Sequence, residues 1–232
     1  MPLRLNTYFE DFLSLIYPHT CISCGDLLPK GRSDICPTCV YNLPKTKNHV
    51  IPVPQFAQKF DGIVKIDKVY VYSYFQKHGI VQKILHQLKY SDNQRIGETF
   101  GRYFGKDLSA EAELPPFGFI IPVPLHPKKL RQRGYNQSEA IGRGVSQALK
   151  VPQNLTTLYR KKHFNTQTKR NKIDRINIMS ETFAVHDIDM IGKHILLVDD
   201  VLTTGATLIA CTEQLLTLKP ASISIAVLAG VK

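Results

Sequence analysis

The chain has 232 residues, of which 43% are hydrophobic and 21% charged. This composition excludes a collagen, a coiled coil and a wholly disordered chain, and the length allows one ordinary domain plus a small module. No run approaches the ~18 consecutive apolar residues of a membrane helix, and Glu10 and Asp11 interrupt the region where a signal peptide would be apolar, so we expect a cytoplasmic protein with no membrane partner.

The net charge of +11 comes from one segment of the chain. Residues 128–175 hold 13 of the 30 Lys and Arg residues and only two acidic residues, which leaves 17 of each sign elsewhere. Such a local excess attracts phosphates, pyrophosphate or a nucleic-acid backbone. The alternative is a basic face that is simply solvated.

The N-terminal quarter of the chain predicts a small module. Residues 3–16 have apolar side chains at helical spacing, and Pro18 ends the predicted helix. Residues 44–62 are rich in proline and predict a linker or an extended arm. We therefore expect two units, residues 1–60 and residues 61–232.

Four cysteines within the first unit predict a metal site. Their spacing is C-x2-C-x11-C-x2-C, and the residues are Cys21, Cys24, Cys36 and Cys39. Two such C-x-x-C turns are typical of a tetrahedral zinc site, and four thiolates leave no position for a reacting water, so we expect structural Zn²⁺. An iron–sulfur cluster, a pair of disulfides and a redox pair are the alternatives. The fifth cysteine, Cys211, lies on the apolar face of a predicted helix and should be buried.

The second unit alternates strands and helices. The periodicity predicts strands at 68–75, 117–124, 193–201 and 221–231, helices at 79–90, 94–108, 136–149 and 206–219, and a basic stretch rich in loops at 159–177. The last strand, helix and strand form a βαβ unit. This order predicts an open, mainly parallel α/β sheet.

The sharpest motif is ILLVDDVLTTGAT, at residues 195–207. An apolar run delivers Asp199 and Asp200 to the carboxyl end of a buried strand, where open α/β sheets bind ligands. The following turn opens a helix whose free N–H groups and hydroxyls suit a phosphate; its residues are Thr203, Thr204, Gly205, Ala206 and Thr207. Carboxylates that accept from sugar hydroxyls and help to hold Mg²⁺, next to a phosphate cup, predict a sugar-phosphate site. The alternative is an ordinary helix cap.

This stretch resembles the loop of type I phosphoribosyltransferases that binds phosphoribosyl pyrophosphate (PRPP). A wider set of segments resembles the ComF/ComFC family, which is associated with bacterial competence for DNA uptake: CISCG and CPTC, LKY at 88–90, residues 121–142 and residues 166–185. The resemblance implies a phosphoribosyltransferase-type fold with an N-terminal zinc module, PRPP or a nucleotide as ligand, and Mg²⁺.

The resemblance also implies roles for residues around the two aspartates. Asp199 and Asp200 would hold the ribose, and the turn at 203–207 would wrap its 5′-phosphate. The residues implied for the pyrophosphate loop and for mobile loops over the site are Lys89, Lys128, Lys129, Arg131, Arg133, Tyr135, Asn136, Gln137, Lys169 and Arg170. Single-stranded DNA, a helicase-like competence partner and a homodimer are the implied macromolecular partners.

Three functions stay open at this stage. The first is a PRPP-binding protein that acts with single-stranded DNA in competence. The second is an active phosphoribosyltransferase that transfers ribose 5-phosphate to a base-like acceptor and releases pyrophosphate. The third is a noncatalytic PRPP sensor. Tyr135, Tyr159 and Phe164 are interleaved with the basic residues and are the expected stacking residues for DNA bases.

Overall fold

The computed structural model describes residues 18–29, 34–91, 93–161 and 182–232. The predicted helix at 3–16 lies outside these residues. The described helices are α1 (Pro37–Tyr41), α2 (Pro54–Ala57), α3 (Ile80–Tyr90), α4 (Gln94–Leu108), α5 (Pro127–Arg133), α6 (Gln137–Leu149) and α7 (Ala206–Leu216). The described strands are β1 (Val69–Tyr74), β2 (Phe117–Pro122), β3 (Leu158–Arg160), β4 (Phe183–Val185), β5 (His194–Leu202) and β6 (Ser222–Gly230).

The central sheet has four parallel strands in the order β1-β6-β5-β2. Its interior strands β5 and β6 are apolar almost throughout, as expected for strands that are covered on both faces. The predicted parallel α/β fold, including the βαβ unit formed by β5, α7 and β6, is confirmed. All carboxyl ends of these strands therefore meet at one edge of the sheet.

Two apolar layers cover the sheet. Helices α3, α4 and α6 pack on one face, while α7, the segment around α2 and the β3–β4 hairpin pack on the other. Residues of α4 and α6 approach closely through small side chains: a Cβ added at Gly105 would lie 2.6 Å from Ala148 Cβ. Leu208 and Cys211 of α7 are fully buried, in agreement with the prediction for Cys211.

The segment at 44–62 is packed against the sheet. The Tyr74 N–H donates to Pro44 O at 2.8 Å, and the Thr46 N–H donates to Tyr72 O at 3.0 Å, so this segment lines the edge of β1. Phe56 and Phe60 are buried. The prediction of a linker missed this packing because the prolines hide the two aromatic anchors; a unit boundary near residue 60 stays a prediction.

Two elements differ from the sequence-based expectation. Residues 127–133 form the helix α5, where a pyrophosphate loop and a mobile loop were expected. The stretch at 159–177, expected to be rich in loops, begins in strand β3, which pairs antiparallel with β4. Residues 162–177 of this stretch lie outside the described residues. Short basic helices and three-residue strands carry too little apolar periodicity to be recognised from sequence.

Candidate functional site

The acidic pair lies at the carboxyl edge of the sheet. Residues 195–198 of β5 are buried, whereas Asp199 and Asp200 are half-buried as the strand leaves the core. Their neighbour β2 ends at the same level, because Val123 N–H donates to Val198 O at 2.9 Å. The two carboxylates therefore stand where ligands of open α/β sheets bind.

Asp199 is held by two short hydrogen bonds. Its Oδ1 accepts from Ser138 Oγ at 2.7 Å and from the Asp200 N–H at 2.9 Å. Burial, together with the adjacent Asp200 carboxylate, raises the pKa of Asp199 to about 7, although the bond from Ser138 opposes the shift. At neutral pH this carboxyl can therefore either carry or release a proton.

Asp200 faces a cation from another element. Lys89 Nζ lies 2.9 Å from Asp200 Oδ2, and both side chains are partly exposed. Lys89 belongs to the last turn of α3, which is also held from the other side by a hydrogen bond from the Tyr135 hydroxyl to Leu88 O. The structure thus brings Lys89 to the acidic pair, while its expected contact with pyrophosphate stays a prediction.

The turn after β5 presents unused hydrogen-bond donors. Gly205 has φ of +83° and caps α7, a backbone conformation that other residues rarely adopt. Within the described part of the chain, no backbone N–H of residues 203–208 donates a hydrogen bond. Thr203 and Thr204 are exposed, and Thr207 is half-buried. Free amides at the start of an eleven-residue helix form a site suited to an anion.

Helix α5 carries exposed cations beside the site. His126 caps its first turn, with the Lys128 N–H donating to His126 Nδ1 at 3.1 Å; Pro127 follows the cap, and Gly134 ends the helix with φ of +75°. Lys128, Lys129 and Arg131 are exposed on this helix. The prediction of a loop at residues 127–133 is wrong, because the cap, the proline and the glycine together define a helix there.

The polar groups of residues 133–138, RGYNQS, mostly form hydrogen bonds within the protein. Tyr135 and Gln137 are buried, and Arg133 Nη1 donates to Gln137 Oε1 at 2.8 Å. Asn136 caps α6 and its Nδ2 donates to Val123 O at 3.0 Å. Expected as parts of a mobile loop, Tyr135, Asn136 and Gln137 instead bond to Leu88 of α3, to Val123 just after β2 and to Arg133 of α5. Tyr135 was also expected to stack on DNA bases, and its burial excludes that role. Phe164 lies outside the described residues.

A cluster of cations surrounds His126. Partial desolvation and the charges of Arg160, Lys129, Lys128 and Arg131 lower the pKa of His126. Arg160, on β3, stacks over Phe183 with 5.2 Å from its guanidinium carbon to the ring centre, and its Nε is buried without a partner among the described residues. This concentration of positive charge favours an anionic ligand. Lys169 and Arg170 lie outside the described residues.

The four module cysteines converge. Their Sγ atoms all lie within 4.8 Å of one another, all four are free thiols, and Cys24 Sγ lies 3.7 Å from Cys36 Sγ. A tetrahedron of Zn–S bonds of about 2.3 Å separates its sulfurs by roughly 3.8 Å, so the cluster fits a zinc ion. Burial opposes ionisation of Cys21, but N–H groups of the loop, including that of Cys36 at 3.3 Å, lower its pKa to about 6.

The cysteine module is fastened to the sheet domain by polar contacts. His19 Nε2 lies 3.0 Å from Asp34 Oδ1, whose other oxygen accepts from Asn93 Nδ2 at 3.1 Å, just before α4. Lys83 of α3 donates to Ser23 O at 2.5 Å. The module therefore packs on the ends of α3 and α4, and α3 also carries Lys89.

With this geometry in view, the chain can be compared with known proteins. The phosphoribosyl transferase domain family matches residues 136–232, which contain β5, the turn and α7. Competence protein F of Haemophilus influenzae is 26% identical over 200 residues, with 81% of this chain and 86% of that protein covered. Competence protein ComFC of Bacillus subtilis is 27% identical over 191 residues, which cover 81% and 74% of the two chains. The chain is therefore similar in sequence to the ComF/ComFC proteins.

A solved hypoxanthine phosphoribosyltransferase from Staphylococcus aureus is 14% identical and covers 60% of this chain and 65% of its own, with a TM-score of 0.39. The two competence proteins confirm the ComF/ComFC resemblance over about four-fifths of the chain. Among the described residues, no helix has both the length and the apolar character to span a membrane.

Two residues that sequence reasoning did not select belong to the site. Ser138 bonds Asp199 from the start of α6, and Arg160 adds a half-buried cation from β3. Ser138 is the second residue of α6 and follows the capping residue Asn136 by two positions, which is a weak local signal. Arg160 carried no signal beyond membership in the basic segment, because only the tertiary structure brings it near His126.

Proposed function

We propose that this protein binds PRPP or a nucleotide phosphate at the carboxyl edge of its sheet, and acts in DNA uptake. The observation that carries this proposal is the pairing of two half-buried carboxylates with a turn whose backbone N–H groups are unused. The carboxylates suit the hydroxyls of a ribose, and the turn suits its 5′-phosphate. The names of the relatives, which refer to competence, support the biological setting.

The cations complete the proposed ligand site. Lys89 already touches Asp200, and the cations of α5 surround His126 at the neighbouring end of β2. A pyrophosphate group attached to the ribose would replace Asp200 as the partner of Lys89, and would draw on the exposed Lys128 and Lys129. Binding would thereby neutralise the cations around His126, which repel one another in the free protein.

Two metal ions belong to the proposal. Mg²⁺ would accompany the pyrophosphorylated ligand, with Asp199 and Asp200 as the carboxylates available to hold it, and it would neutralise charge on the phosphates. Zn²⁺ would bind Cys21, Cys24, Cys36 and Cys39, where four sulfurs leave it a purely structural role.

Calorimetry with PRPP and Mg²⁺ tests the ligand site. Asp200→Asn should weaken binding at least about tenfold, which corresponds to roughly 1.4 kcal/mol. Asp187→Asn, which makes the same charge change at an exposed position, is the matched control and should bind as the wild type does. Equal affinity of the two variants would refute the assignment, and so would wild-type protein that binds neither PRPP nor a nucleotide.

The same preparation distinguishes transfer from binding alone. Release of pyrophosphate from PRPP that depends on an added base identifies a phosphoribosyltransferase. Binding with no such release, over a panel of purine and pyrimidine bases, identifies a sensor.

Single-stranded DNA is a second proposed ligand, favoured by a surface aromatic pair. Tyr159 is 37% exposed and stacks on His186 with 4.4 Å between ring centres. Tyr159 lies on β3 next to Arg160, within the basic segment 128–175, and His186 directly follows β4, the antiparallel partner of β3. Exposed rings beside cations bind unpaired bases with little sequence preference.

Fluorescence anisotropy of a labelled oligonucleotide tests the DNA proposal. Tyr159→Ala should weaken binding by about 1–3 kcal/mol if a base stacks there. Tyr41→Ala, at an 89% exposed position on the cysteine module, is the control. Affinity should also fall steeply as salt concentration rises. Equal loss in both variants, or binding that ignores salt, would contradict the proposal.

A further inference from the structure

A small cavity of about 250 Å³ lies between the last turn of α3 and the end of α5. The residues that line it are Lys89, Tyr90, Gln132, Arg133 and Gly134. Sites for drug-sized ligands have volumes of roughly 300–1,000 Å³. The cavity is smaller than these, so it suits a single ring system rather than a whole nucleotide.

Two sets of contacts place this cavity next to the acidic pair. On one side, Lys89 lines the cavity and its Nζ lies 2.9 Å from Asp200 Oδ2. On the other side, Arg133 donates to Gln137 Oε1 at 2.8 Å, and the residue after Gln137 donates to Asp199 Oδ1 at 2.7 Å. A ribose held by the two aspartates would therefore lie beside the cavity.

Tyr90 offers an exposed aromatic ring in this cavity. The residue is 66% exposed, although most large apolar side chains of the sheet domain are buried. Its ring centre lies 4.8 Å from that of His86 and 5.9 Å from the guanidinium carbon of Arg133. Exposed aromatic rings next to cations are surfaces on which heterocyclic bases stack.

The polar groups of the cavity lining mostly donate hydrogen bonds. Lys89 and Arg133 carry only donors, and the exposed Gln132 amide carries donors and one acceptor. Among the described residues, no carboxylate lines the cavity. The lining therefore favours a base whose edge carries carbonyl oxygens, as arginine does when it pairs with O6 and N7 of guanine.

We propose that this cavity receives the base of a nucleotide whose ribose and phosphate occupy the acidic pair and the turn at 203–207. The base would stack on Tyr90, and its carbonyl edge would accept hydrogen bonds from Arg133 and Gln132. This inference rests on the proposed function, because the sugar phosphate anchors the base. It gives a role to Tyr90, for which the sequence predicted none.

Calorimetry with two ligands that share a sugar phosphate tests the proposal. Ribose 5-phosphate has no base, whereas guanosine 5′-monophosphate has one, and both are titrated into the full chain with Mg²⁺. The wild type should bind the nucleotide at least about tenfold more tightly than ribose 5-phosphate. Tyr90→Ala should lower this ratio to about one, while Tyr90→Phe should keep it, because phenylalanine also stacks. Tyr41→Ala, at an 89% exposed position on the cysteine module, is the matched control and should keep the ratio.

The results separate this inference from the proposed function. If ribose 5-phosphate, PRPP and the nucleotide all fail to bind, both proposals are overturned. If ribose 5-phosphate or PRPP binds and the base adds no affinity, only the base site is overturned. A ratio that Tyr90→Ala leaves unchanged, or that Tyr41→Ala lowers equally, also overturns the base site alone.

A labelled oligonucleotide distinguishes the base of a nucleotide from a base of single-stranded DNA. Fluorescence anisotropy measures its affinity for the wild type and for Tyr90→Ala. We expect the variant to weaken binding of the nucleotide more than binding of the oligonucleotide. A loss confined to the oligonucleotide assigns the ring to DNA and overturns the proposal.

Inosine and adenosine 5′-monophosphates test which edge of the base is recognised. They carry a carbonyl oxygen and an amino group, respectively, at the same ring position. Inosine 5′-monophosphate should bind at least about fivefold more tightly to the wild type, because Arg133 can only donate. Equal affinity, or a preference for adenosine 5′-monophosphate, overturns the assignment of Arg133 to a carbonyl edge.

Discussion

Ser138 Oγ donates a hydrogen bond of 2.7 Å to Asp199 Oδ1, and thereby joins the first turn of α6 to the end of β5. The serine is 5% exposed, so water competes little for the bond. This bond lowers the pKa of a carboxyl that burial and Asp200 otherwise raise. The protonation of the candidate site therefore depends on how α6 packs.

Ser138→Ala should raise the pKa of Asp199 further above its present value of about 7, because the charged form loses a hydrogen-bond donor. Titration of the Asp199 carboxyl carbon by NMR measures the shift. Ser146→Ala serves as the control: that serine also lies on α6, but it donates to Val151 O, far from the acidic pair. Equal Asp199 titration curves in all three proteins would show that the bond does not tune the carboxyl.

Asp199→Asn should stabilise the protein increasingly as pH rises from about 4 to about 7. The raised pKa means that the folded state holds this proton more tightly than the unfolded state, in which a carboxyl titrates near 3.9. In the wild type, the stabilisation that comes from protonated Asp199 is therefore fully present at low pH. It is lost as pH rises from about 4 to about 7. Urea unfolding across pH 4 to 8 gives the comparison.

The advantage of the Asn variant should level off once pH exceeds the folded pKa. Asp187→Asn, at an exposed site, should show no such rise. An advantage of Asp199→Asn that shrinks between pH 4 and 7 would mean that the carboxylate stabilises the fold.

Tyr135→Phe should cost about 1–3 kcal/mol of unfolding free energy, because a buried carbonyl at Leu88 loses its donor. Without this hydrogen bond the last turn of α3, which carries Lys89, is held less firmly. Chemical denaturation measures the cost. Tyr41→Phe, at an 89% exposed position, should change stability by less than about 0.5 kcal/mol. Similar small effects at both positions would remove the structural role assigned to Tyr135.

Gly101→Ala should destabilise the protein by about 1–3 kcal/mol or more, since the added Cβ would clash with the backbone of Ile141 in α6. Backbone cannot move aside as a side chain can. Gly118→Ala is the control, because there the nearest atom is the Lys193 side chain at 3.4 Å. Thermal unfolding distinguishes the two, and comparable melting temperatures would show that α4 and α6 tolerate separation.

Purified protein should contain about one zinc ion per chain, and Cys39→Ser should lose it. Elemental analysis measures the content. Cys211→Ala keeps all four converging thiols, so it should retain the metal. Iron in place of zinc, or disulfides between the four cysteines, would contradict a structural zinc site.

Features encoded by neighbouring residues were predictable. The apolar run of β5 predicts a buried strand; the residues around Gly205 predict a turn that opens a helix, and the cysteine spacing predicts a converging cluster. Each depends on periodicity or on the preferences of a few adjacent residues. Helix α5 escaped prediction, although its cap residue His126 and its terminal Gly134 are visible in the sequence, because its basic surface has no apolar stripe.

The sequence by itself thus determined the parallel α/β class, the acidic pair, the turn after it and the cysteine cluster, because local patterning encodes each of them. Only the tertiary structure decided that Ser138 bonds Asp199, that Lys89 meets Asp200, and that the Tyr135 hydroxyl bonds Leu88 O. These contacts join residues far apart in the chain. They exist because helices packed through glycines, together with parallel crossovers, bring distant side chains to one place. No pattern within a short stretch of sequence encodes such a contact.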